Sequence, residues 1–547
     1  MKKWGLFLIV AVHALVFWIF FHKIFLLYTN LDEGILLDGA KRILSGQVPL
    51  KDFFYFHIPG DIYLFALFFK AFGESYVTAK FVMLFFTLMS DLCILSLVHS
   101  FSKEWILPGI SSLFYLTIVF PLMSISHDWL SVFFVFLTTW LLFESVEKQD
   151  NPFLFKPLLF MAGMFCGFTG LIHESRGIYL LPLSSFYILA GVHQTGDHHF
   201  QLKKRLRAVL IFLAGTGIVL ITFFYFSVYT GSFPYYMNTI KWLLTNYKAF
   251  NRYPFLYTQF ALIKRSFSVL DIKDIWHGIN VVIIIIAIIF IPLIVVTGTI
   301  LRYMYRMYKR KATQQDRILL LLAISYLVLF LSTLYKPEAW RIHDFTTPAF
   351  LILLFCLIWL LTAEILKSIQ YKKIIPPVYV IIITFTIFLS LYNLKSFADI
   401  ATRAECNIQT GDNKVKMISD AYCKDINELY GVISQAPSGP MFVYHWTPIL
   451  YFLFDRNNAT SFDSYMPLYN TPEQMDQIIK ELQANRPLYI VMDSYDINLL
   501  DPSTGLYWLF PLLDRRWLFH DPVHKYIYGH YRVDRYLRVF TLLKRME

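Results

Sequence analysis

Long runs of hydrophobic residues, separated by short polar segments, fill the first 394 residues of the chain. A helix needs about 20 apolar residues to cross a hydrocarbon core of about 30 Å. Runs of that length predict about eleven transmembrane spans, at 4–28, 77–100, 105–123, 126–145, 154–172, 177–193, 207–229, 278–301, 317–335, 345–364 and 374–394. We therefore expect a polytopic α-helical membrane protein.

The composition supports this expectation. The 547 residues are 57% hydrophobic and only 16% charged, whereas a soluble domain carries about 25% charged residues. The net charge is +11, but the Lys and Arg residues lie between the apolar runs and form no continuous basic face. Such a distribution sets membrane topology and argues against a nucleic-acid partner.

The basic segments predict the orientation of the chain. If Lys2 and Lys3 are cytoplasmic, then the basic loops at 203–207, 302–311 and 372–373 are cytoplasmic too. An odd number of spans then leaves the C-terminus outside, so we expect a protein of the inner (plasma) membrane with a cytoplasmic N-terminus. A cleaved signal peptide is the alternative for the first run, but that run is long and lacks a cleavage motif.

The last part of the chain, 395–547, is more polar and predicts an extracytoplasmic α/β domain, distinct from a transmembrane domain at 1–394. Short apolar runs at 441–444 and 488–492 predict strands, and the Thr-Pro pair at 471–472 begins a helix between them. The alternation at 525–543 predicts further strand structure. We expect this domain to select the acceptor or to shield the active cavity.

Cys406 and Cys423 are the only cysteines of this domain. In an oxidising compartment they either form a disulfide or remain two free thiols, because spacing alone does not fix the distance between their Cα atoms.

Polar groups from distant parts of the chain fall on the same predicted outer side of the membrane. They are Asp32-Glu33, His127-Asp128, His173-Glu174 and the segment 336–344. The first outer loop, 29–76, also contains a short apolar segment at 61–72, which predicts a helix at the membrane interface.

The first outer loop resembles that of the GT-C glycosyltransferases, which are integral-membrane enzymes that use polyprenyl-phosphate-linked sugars. The matching features are the Asp32-Glu33 pair, the pattern Ala40-x-x-Ile43-x-x-Gly46, Pro49 followed by Lys51-Asp52-Phe53, and the turn His57-x-Pro59. Later matches are His173-Glu174-Ser175-Arg176 and the segment from Arg341 to Pro348. The resemblance covers the whole chain and is nearest to the branch of protein O-mannosyltransferases and lipid A aminoarabinose transferases.

This resemblance implies roles for individual residues. Asp32 would be the general base of an inverting displacement, and Glu33 would orient groups near it. The departing phosphate needs cations, and a guanidinium suits phosphate oxygens best. The donor-phosphate candidates are Arg176 and Arg341, followed by His57, Lys51, Lys336 and His343, and the substrate-site candidates are His173, Glu174 and Asp128.

His57 stands where the aminoarabinose-transferase branch has a phosphate-binding lysine, and Leu50 and His343 stand where the family has aromatic residues. The expected partners are a polyprenyl-phosphate sugar donor, a glycan, lipid or protein acceptor, and membrane lipids. We expect no cofactor and no metal, since adjacent helical residues such as His127 and Asp128 point about 100° apart. Imidazole and carboxylate groups are nevertheless ligands for ions such as Zn or Mn, so a bound divalent metal remains an alternative.

Two other classes of membrane protein remain as alternatives. A secondary transporter or lipid flippase would place charges near the midplane and show repeated halves, and the sequence shows no internal repeat. An O-antigen polymerase or ligase would depend on a long outer loop late in the bundle and would not need Asp32-Glu33.

Overall fold

The computed structural model describes residues 6–7, 9–11, 13–15, 18, 31–122, 124–191, 198–242, 245, 289–334, 339–368, 384, 395, 406–410, 413–417, 419–444, 447–465, 470–493 and 521–546. The predicted spans 4–28 and 374–394 therefore lie almost wholly outside the described residues.

Twelve helices precede the C-terminal sheet region, residues 406–546, which is called the C-terminal domain below; the count is of the described part of the chain. They are α1 (Leu31–Leu44), α2 (Gly60–Phe72), α3 (Tyr76–Ser102), α4 (Ile106–Leu122), α5 (His127–Glu147), α6 (Pro152–Ile172), α7 (Glu174–Gly191), α8 (His198–Tyr229), α9 (Phe233–Trp242), α10 (Ile291–Tyr308), α11 (Gln314–Thr333) and α12 (Ala339–Ser368). Helices α1 and α2 belong to the segment 29–76, called the first loop below.

Six of these helices contain segments long and apolar enough to cross a membrane, judged over the described residues. The segments are Tyr76–Ser102, His127–Glu147, Pro152–Ile172, Leu202–Tyr229, Gln314–Thr333 and Phe345–Thr362. They coincide with six predicted spans. The number of eleven spans stays a prediction. Helices α4 and α7 coincide with predicted spans but are not among the six candidates, and α10 begins 13 residues after the predicted start of its span at 278.

Local sequence explains where several of these helices begin. The side chains of Ser126 and Asn151 accept hydrogen bonds from the first turns of α5 and α6, respectively. Thr313 and Asp316 form a capping box at the start of α11. Each cap supplies a partner to backbone N–H groups that the helix leaves unbonded.

Small residues allow α6 and α8 to pack with their backbones in close contact. A Cβ atom on Gly163 would overlap the carbonyl oxygen of Phe212, and one on Gly215 would overlap that of Phe160. In a membrane, apolar side chains gain little free energy when they leave lipid for a contact between helices, because both surroundings are apolar. Close backbone packing of this kind therefore contributes strongly to the association of membrane helices.

The C-terminal domain contains six strands and four helices among its described residues. The strands are β1 (Cys406–Thr410), β2 (Asn413–Met417), β3 (Phe442–Tyr444), β4 (Tyr489–Asp493), β5 (Tyr531–Tyr536) and β6 (Phe540–Arg545), and the helices are α13 (Asp420–Ile433), α14 (Ile449–Leu453), α15 (Pro472–Asn485) and α16 (Pro522–His530). β1 and β2 form an antiparallel hairpin, and the other strands form one sheet in the order β3-β4-β6-β5.

The β-α-β unit predicted from sequence is present, since β3 and β4 pair in parallel and α15 lies between them in the chain. The prediction of strand structure from 525 was wrong for its first residues. Residues 525–530 belong to α16, because the Asp521 side chain caps that helix and Pro522 occupies its first turn. Strands β5 and β6 follow it as an antiparallel hairpin.

Cys406 and Cys423 form a disulfide, with their Cα atoms 6.0 Å apart. The bond joins β1 to α13. The sequence left open a disulfide or two free thiols, and the structure contains the disulfide. The three remaining cysteines, Cys93, Cys166 and Cys356, are buried thiols in the helical domain.

Candidate active site

Asp32 and Glu33 lie in the first turn of α1, where the helix dipole favours negative charge. The two carboxylates have different surroundings. Asp32 is partly exposed, and its charge acts on Tyr55 and His57 of the same loop, helping to raise the pKa of each. Asp32 therefore lies beside the aromatic and imidazole groups of the first loop and remains accessible to a substrate.

Glu33 is completely buried. Its carboxylate accepts hydrogen bonds from Lys80 Nζ at 3.1 Å, from the backbone N–H of Ile125 at 3.0 Å and from the Tyr76 hydroxyl at 3.3 Å. Burial raises the pKa of Glu33, and the positive charge of Lys80 opposes that shift. These contacts join α1 to α3 and to the start of α5, as is typical of a structural residue. A direct part of Glu33 in catalysis stays a prediction.

His57 and Glu174 form an ion pair between the first loop and the start of α7. His57 Nδ1 lies 3.2 Å from Glu174 Oε2, and the backbone N–H of Ile58 donates to Glu174 Oε1 at 2.5 Å. Burial lowers the pKa of His57, but Glu174, Asp61 and Asp32 more than compensate, and the net shift is upward. His57 is thus held as a cation over a wider pH range than an isolated histidine.

A second acid, Asp61, lies under the same turn. It accepts a hydrogen bond from the Tyr55 hydroxyl at 2.6 Å and one from the backbone N–H of Ile62 at 2.7 Å. Burial raises the pKa of Asp61 to about 7, although the Tyr55 hydrogen bond and the charge of His57 lower it. The acid fixes Tyr55 behind His57 and adds a group that titrates near neutral pH.

Helices α5, α6 and α7 meet at a buried cluster around Asp128. His173 Nε2 lies 3.0 Å from Asp128 Oδ1. Arg176 donates to the Asp128 carbonyl oxygen, to Ser131 Oγ at 2.6 Å and to Ser332 Oγ at 3.2 Å. Arg176 is fully buried, so its guanidinium holds α5, α7 and α11 together. These contacts do not favour the predicted phosphate-binding role of Arg176, which stays a prediction.

Three imidazole rings connect the polar residues of the first loop around His57 to the buried cluster around Asp128. The ring centroid of His127 lies 4.3 Å from that of His57 and 5.3 Å from that of His173. The structure therefore brings together three of the four predicted groups, Asp32-Glu33, His127-Asp128 and His173-Glu174, with His57 as an additional member. The convergence of the fourth group, 336–344, stays a prediction because its side chains lie outside the described part of the chain.

The ligand atoms of His127, Asp128 and His173 all lie within 4.8 Å of one another, close enough to hold a metal ion. The sequence argument that His127 and Asp128 point too far apart to share an ion was wrong, because both side chains turn toward His173. The electrostatics nevertheless fit a cation poorly. Arg176 Nη2 lies 3.5 Å from the Asp128 oxygen that also bonds His173, and an ion would have to displace that hydrogen bond beside a fixed positive charge.

The remaining phosphate candidates lie at different places. Lys51 Nζ lies 3.4 Å from the carbonyl oxygen of Thr230, beyond the end of α8. Lys336 lies outside the described residues, and of Arg341 and His343 only the backbone is described, in the first turns of α12. Phe345, two residues after His343, has its ring centroid 5.0 Å from the Arg176 guanidinium carbon, which brings the start of α12 to the Asp128 cluster.

The first loop is also fixed to the C-terminal domain. Arg42 Nη2 lies 3.1 Å from Asp463 Oδ1, and the backbone N–H of Phe54 donates to the Ser461 carbonyl oxygen at 2.7 Å. Gly34 touches the backbone at Ile449 so closely that a Cβ atom would overlap it. The C-terminal domain therefore holds α1, and with it Asp32, in place.

Sequence analysis missed four residues that shape this site: Tyr55, Asp61, Tyr76 and Lys80. Lys80 carried a usable signal, because a single lysine inside an apolar span is costly in lipid and requires a partner. The others gave no comparable signal, since aromatic residues are common in this chain and Asp61 resembles an ordinary helix-start acid.

No protein-family profile matches the sequence, and no curated protein is significantly similar to it. Several solved structures match the chain, and two of them show the likeness in fold. The apo oligosaccharyltransferase of Archaeoglobus fulgidus is 12% identical with a TM-score of 0.50, and the match covers 97% of this chain and 73% of that one. ArnT from Cupriavidus metallidurans, bound to undecaprenyl phosphate, is 12% identical with a TM-score of 0.52, and the match covers 99% and 98% of the two chains. The chain therefore has the fold of these two proteins, and at the level of fold the GT-C resemblance of the sequence is confirmed.

Proposed function

We propose that this chain is an integral-membrane glycosyltransferase. It transfers a sugar from a polyprenyl-phosphate donor to a hydroxyl group of the acceptor at the extracytoplasmic face of the plasma membrane. The observation that carries the proposal is the contrast within the pair at the start of α1. Glu33 is buried and bonded to three groups, whereas Asp32 is partly exposed beside the His57–Glu174 ion pair.

Asp32 acts as the general base in this proposal. Its carboxylate takes the proton of the acceptor hydroxyl while that oxygen attacks the anomeric carbon, so the new glycosidic bond forms as the bond to the donor phosphate breaks. The bonding electrons leave with the phosphate oxygen. A single displacement of this kind inverts the anomeric centre.

The departing phosphate carries negative charge that a cation must stabilise in the transition state. His57 suits this task, because its interactions with Glu174, Asp61 and Asp32 favour the imidazolium form. Arg341, Lys51, Lys336 and His343 are further candidates, in line with the resemblance. The likeness in fold to ArnT, whose structure contains undecaprenyl phosphate, supports a polyprenyl-phosphate donor.

The test is a transfer assay in two stages. A lipid extract from a deletion strain, compared with wild type, identifies the donor as the polyprenyl-phospho-sugar that accumulates. The purified protein is then assayed with that donor as wild type, as Asp32→Asn, and as Glu74→Gln, an exposed acid of the same loop.

Asp32→Asn should lower transfer by about 10² to 10⁴, because the amide keeps the shape but does not take the proton. Its thermal unfolding should match wild type, and Glu74→Gln should transfer normally. Near wild-type transfer by Asp32→Asn, or no accumulated lipid-linked sugar, would contradict the proposal.

A further inference from the structure

A polar cavity of about 230 Å³ lies where the first loop meets the C-terminal domain. The first loop contributes Gln47 and Asp52 to its lining, and the C-terminal domain contributes Asn457, Glu481 and Asn485. Arg42 is also part of the lining, so the cavity lies against the Arg42–Asp463 ion pair that joins the two parts of the molecule.

The lining contains side-chain amide groups with hydrogen-bonding capacity that the described residues do not use. The side chains of Gln47 and Asn457 make no hydrogen bond to any other residue in the part of the chain that the structure describes. Asn485 donates through Nδ2 to the Ala459 carbonyl oxygen at 2.7 Å, which leaves its own carbonyl oxygen for a ligand. Amide groups that donate and accept side by side suit a ligand with many hydroxyl groups.

The charges of the lining exclude an anionic ligand. Its two cations are already paired, Arg42 with Asp38 at 3.0 Å and Lys41 with Asp455 at 2.5 Å. Among the residues that the structure describes, the carboxylates of Asp52 and Glu481 bond only to neutral groups. A phosphate or a carboxylate would meet net negative charge there, whereas a neutral sugar would meet donors and acceptors of both kinds.

The position of the cavity relative to Asp32 limits the length of such a ligand. Ten residues of α1 separate Asp32 from Arg42, a distance of about 15 Å along the helix axis. A small acceptor that occupied the cavity would not reach Asp32, whereas an extended oligosaccharide would.

We propose that this cavity binds a sugar unit of an oligosaccharide acceptor whose reacting hydroxyl lies at Asp32. The proposal rests on the proposed function and selects a glycan among the acceptor classes. The C-terminal domain then selects the acceptor through Asn457 and Asn485, in addition to holding α1.

The experiment measures binding of neutral linear oligosaccharides of glucose and of N-acetylglucosamine to the full-length protein in detergent by saturation-transfer NMR. The test variant is Gln47→Ala/Asn457→Ala, which removes two amides that bond to no other described residue. The matched control is Gln409→Ala/Gln483→Ala, which removes two exposed amides of the C-terminal domain away from the cavity.

Wild type and the control should bind longer oligosaccharides alike, and the test variant should bind them at least about tenfold more weakly, through loss of hydrogen bonds. Absence of oligosaccharide binding to wild type, or equal affinity in the test variant, would overturn the cavity proposal. Measurement of transfer to the natural acceptor distinguishes the two proposals. The test variant should have a higher KM for the acceptor and an unchanged kcat. If the proposed function is wrong, wild type itself should show no transfer.

Discussion

Lys80 Nζ lies 3.1 Å from Oε1 of Glu33, and both side chains are buried. The pair joins a membrane-spanning helix to the start of α1, one residue after the proposed base. It explains how two adjacent carboxylates come to have different surroundings, since the lysine and two further donors bond the buried Glu33 whereas Asp32 is partly exposed.

Breaking this pair should destabilise the protein rather than change its chemistry. Removal of one partner of a buried ion pair costs about 3 to 5 kcal/mol, so Glu33→Gln and Lys80→Met should each lower the midpoint of thermal unfolding in detergent. The double variant should lose less than the sum of the two. If Glu33→Gln unfolds like wild type but loses transfer, Glu33 belongs to the catalytic machinery instead.

Gly34 tests whether the C-terminal domain positions Asp32. In Gly34→Ala the new Cβ would overlap the backbone at Ile449 and push α1 away from α14; overpacking of this kind costs about 1 to 3 kcal/mol. We expect lower stability and lower transfer, measured by thermal unfolding and by the donor assay. The matched control is Gly431→Ala, where a Cβ meets nothing within 4 Å; equal behaviour of the two variants would show that the contact is unimportant.

The pH dependence of donor binding tests His57. The pKa of His57 is raised above its ordinary 6.5, so its ion pair with Glu174 stabilises the fold fully below pH 6.5 and weakens as pH rises through the raised pKa. Donor affinity should fall over that same range if the imidazolium binds the phosphate. In His57→Lys the fall should move to higher pH, because a lysine has a pKa of about 10.4. An unchanged pH profile in His57→Lys would remove His57 from the phosphate site.

The two arginine candidates should behave differently when each is replaced by alanine. Arg176→Ala leaves Asp128 buried without its guanidinium partner, so we expect a loss of stability of about 3 to 5 kcal/mol. Arg341→Ala should weaken donor binding more than acceptor binding, and Arg341→Lys should recover only part of it, since lysine lacks the planar fork. Binding of a non-hydrolysable lipid phosphonate, together with thermal unfolding, separates the two effects. Equal phosphonate affinity in Arg341→Ala would exclude Arg341.

The disulfide between Cys406 and Cys423 tests the predicted topology. It closes a loop of about 16 residues and should stabilise the C-terminal domain by about 3 kcal/mol. Intact protein in oriented vesicles should resist a membrane-impermeant thiol reagent until reductant is added, and both cysteines should then react from the extracytoplasmic side. Reaction without reductant would disprove the bridge, and reaction from the cytoplasmic side alone would reverse the orientation.

The sequence by itself determined the class of the protein and the order of its elements. Apolar runs and helix-capping residues act within a few positions of the chain, so the spans matching α3, α5, α6, α8, α11 and α12 were predictable, as was the β3-α15-β4 unit. The acidic pair at the start of α1 and the convergence of distant polar groups were also predictable, because alternating crossings place every second loop on the same side.

Only the tertiary structure decided which of two adjacent acids is buried. Asp32 and Glu33 have the same local sequence signal, and their difference comes from Lys80, Tyr76 and Ile125, which α3 and the approach to α5 supply. The same holds for the partners of Arg176, because the motif around it gives no sign that its guanidinium bonds Ser131 and Ser332. Partners so distant in the chain become neighbours only through helix packing, and burial beside them determines which charges remain available for chemistry.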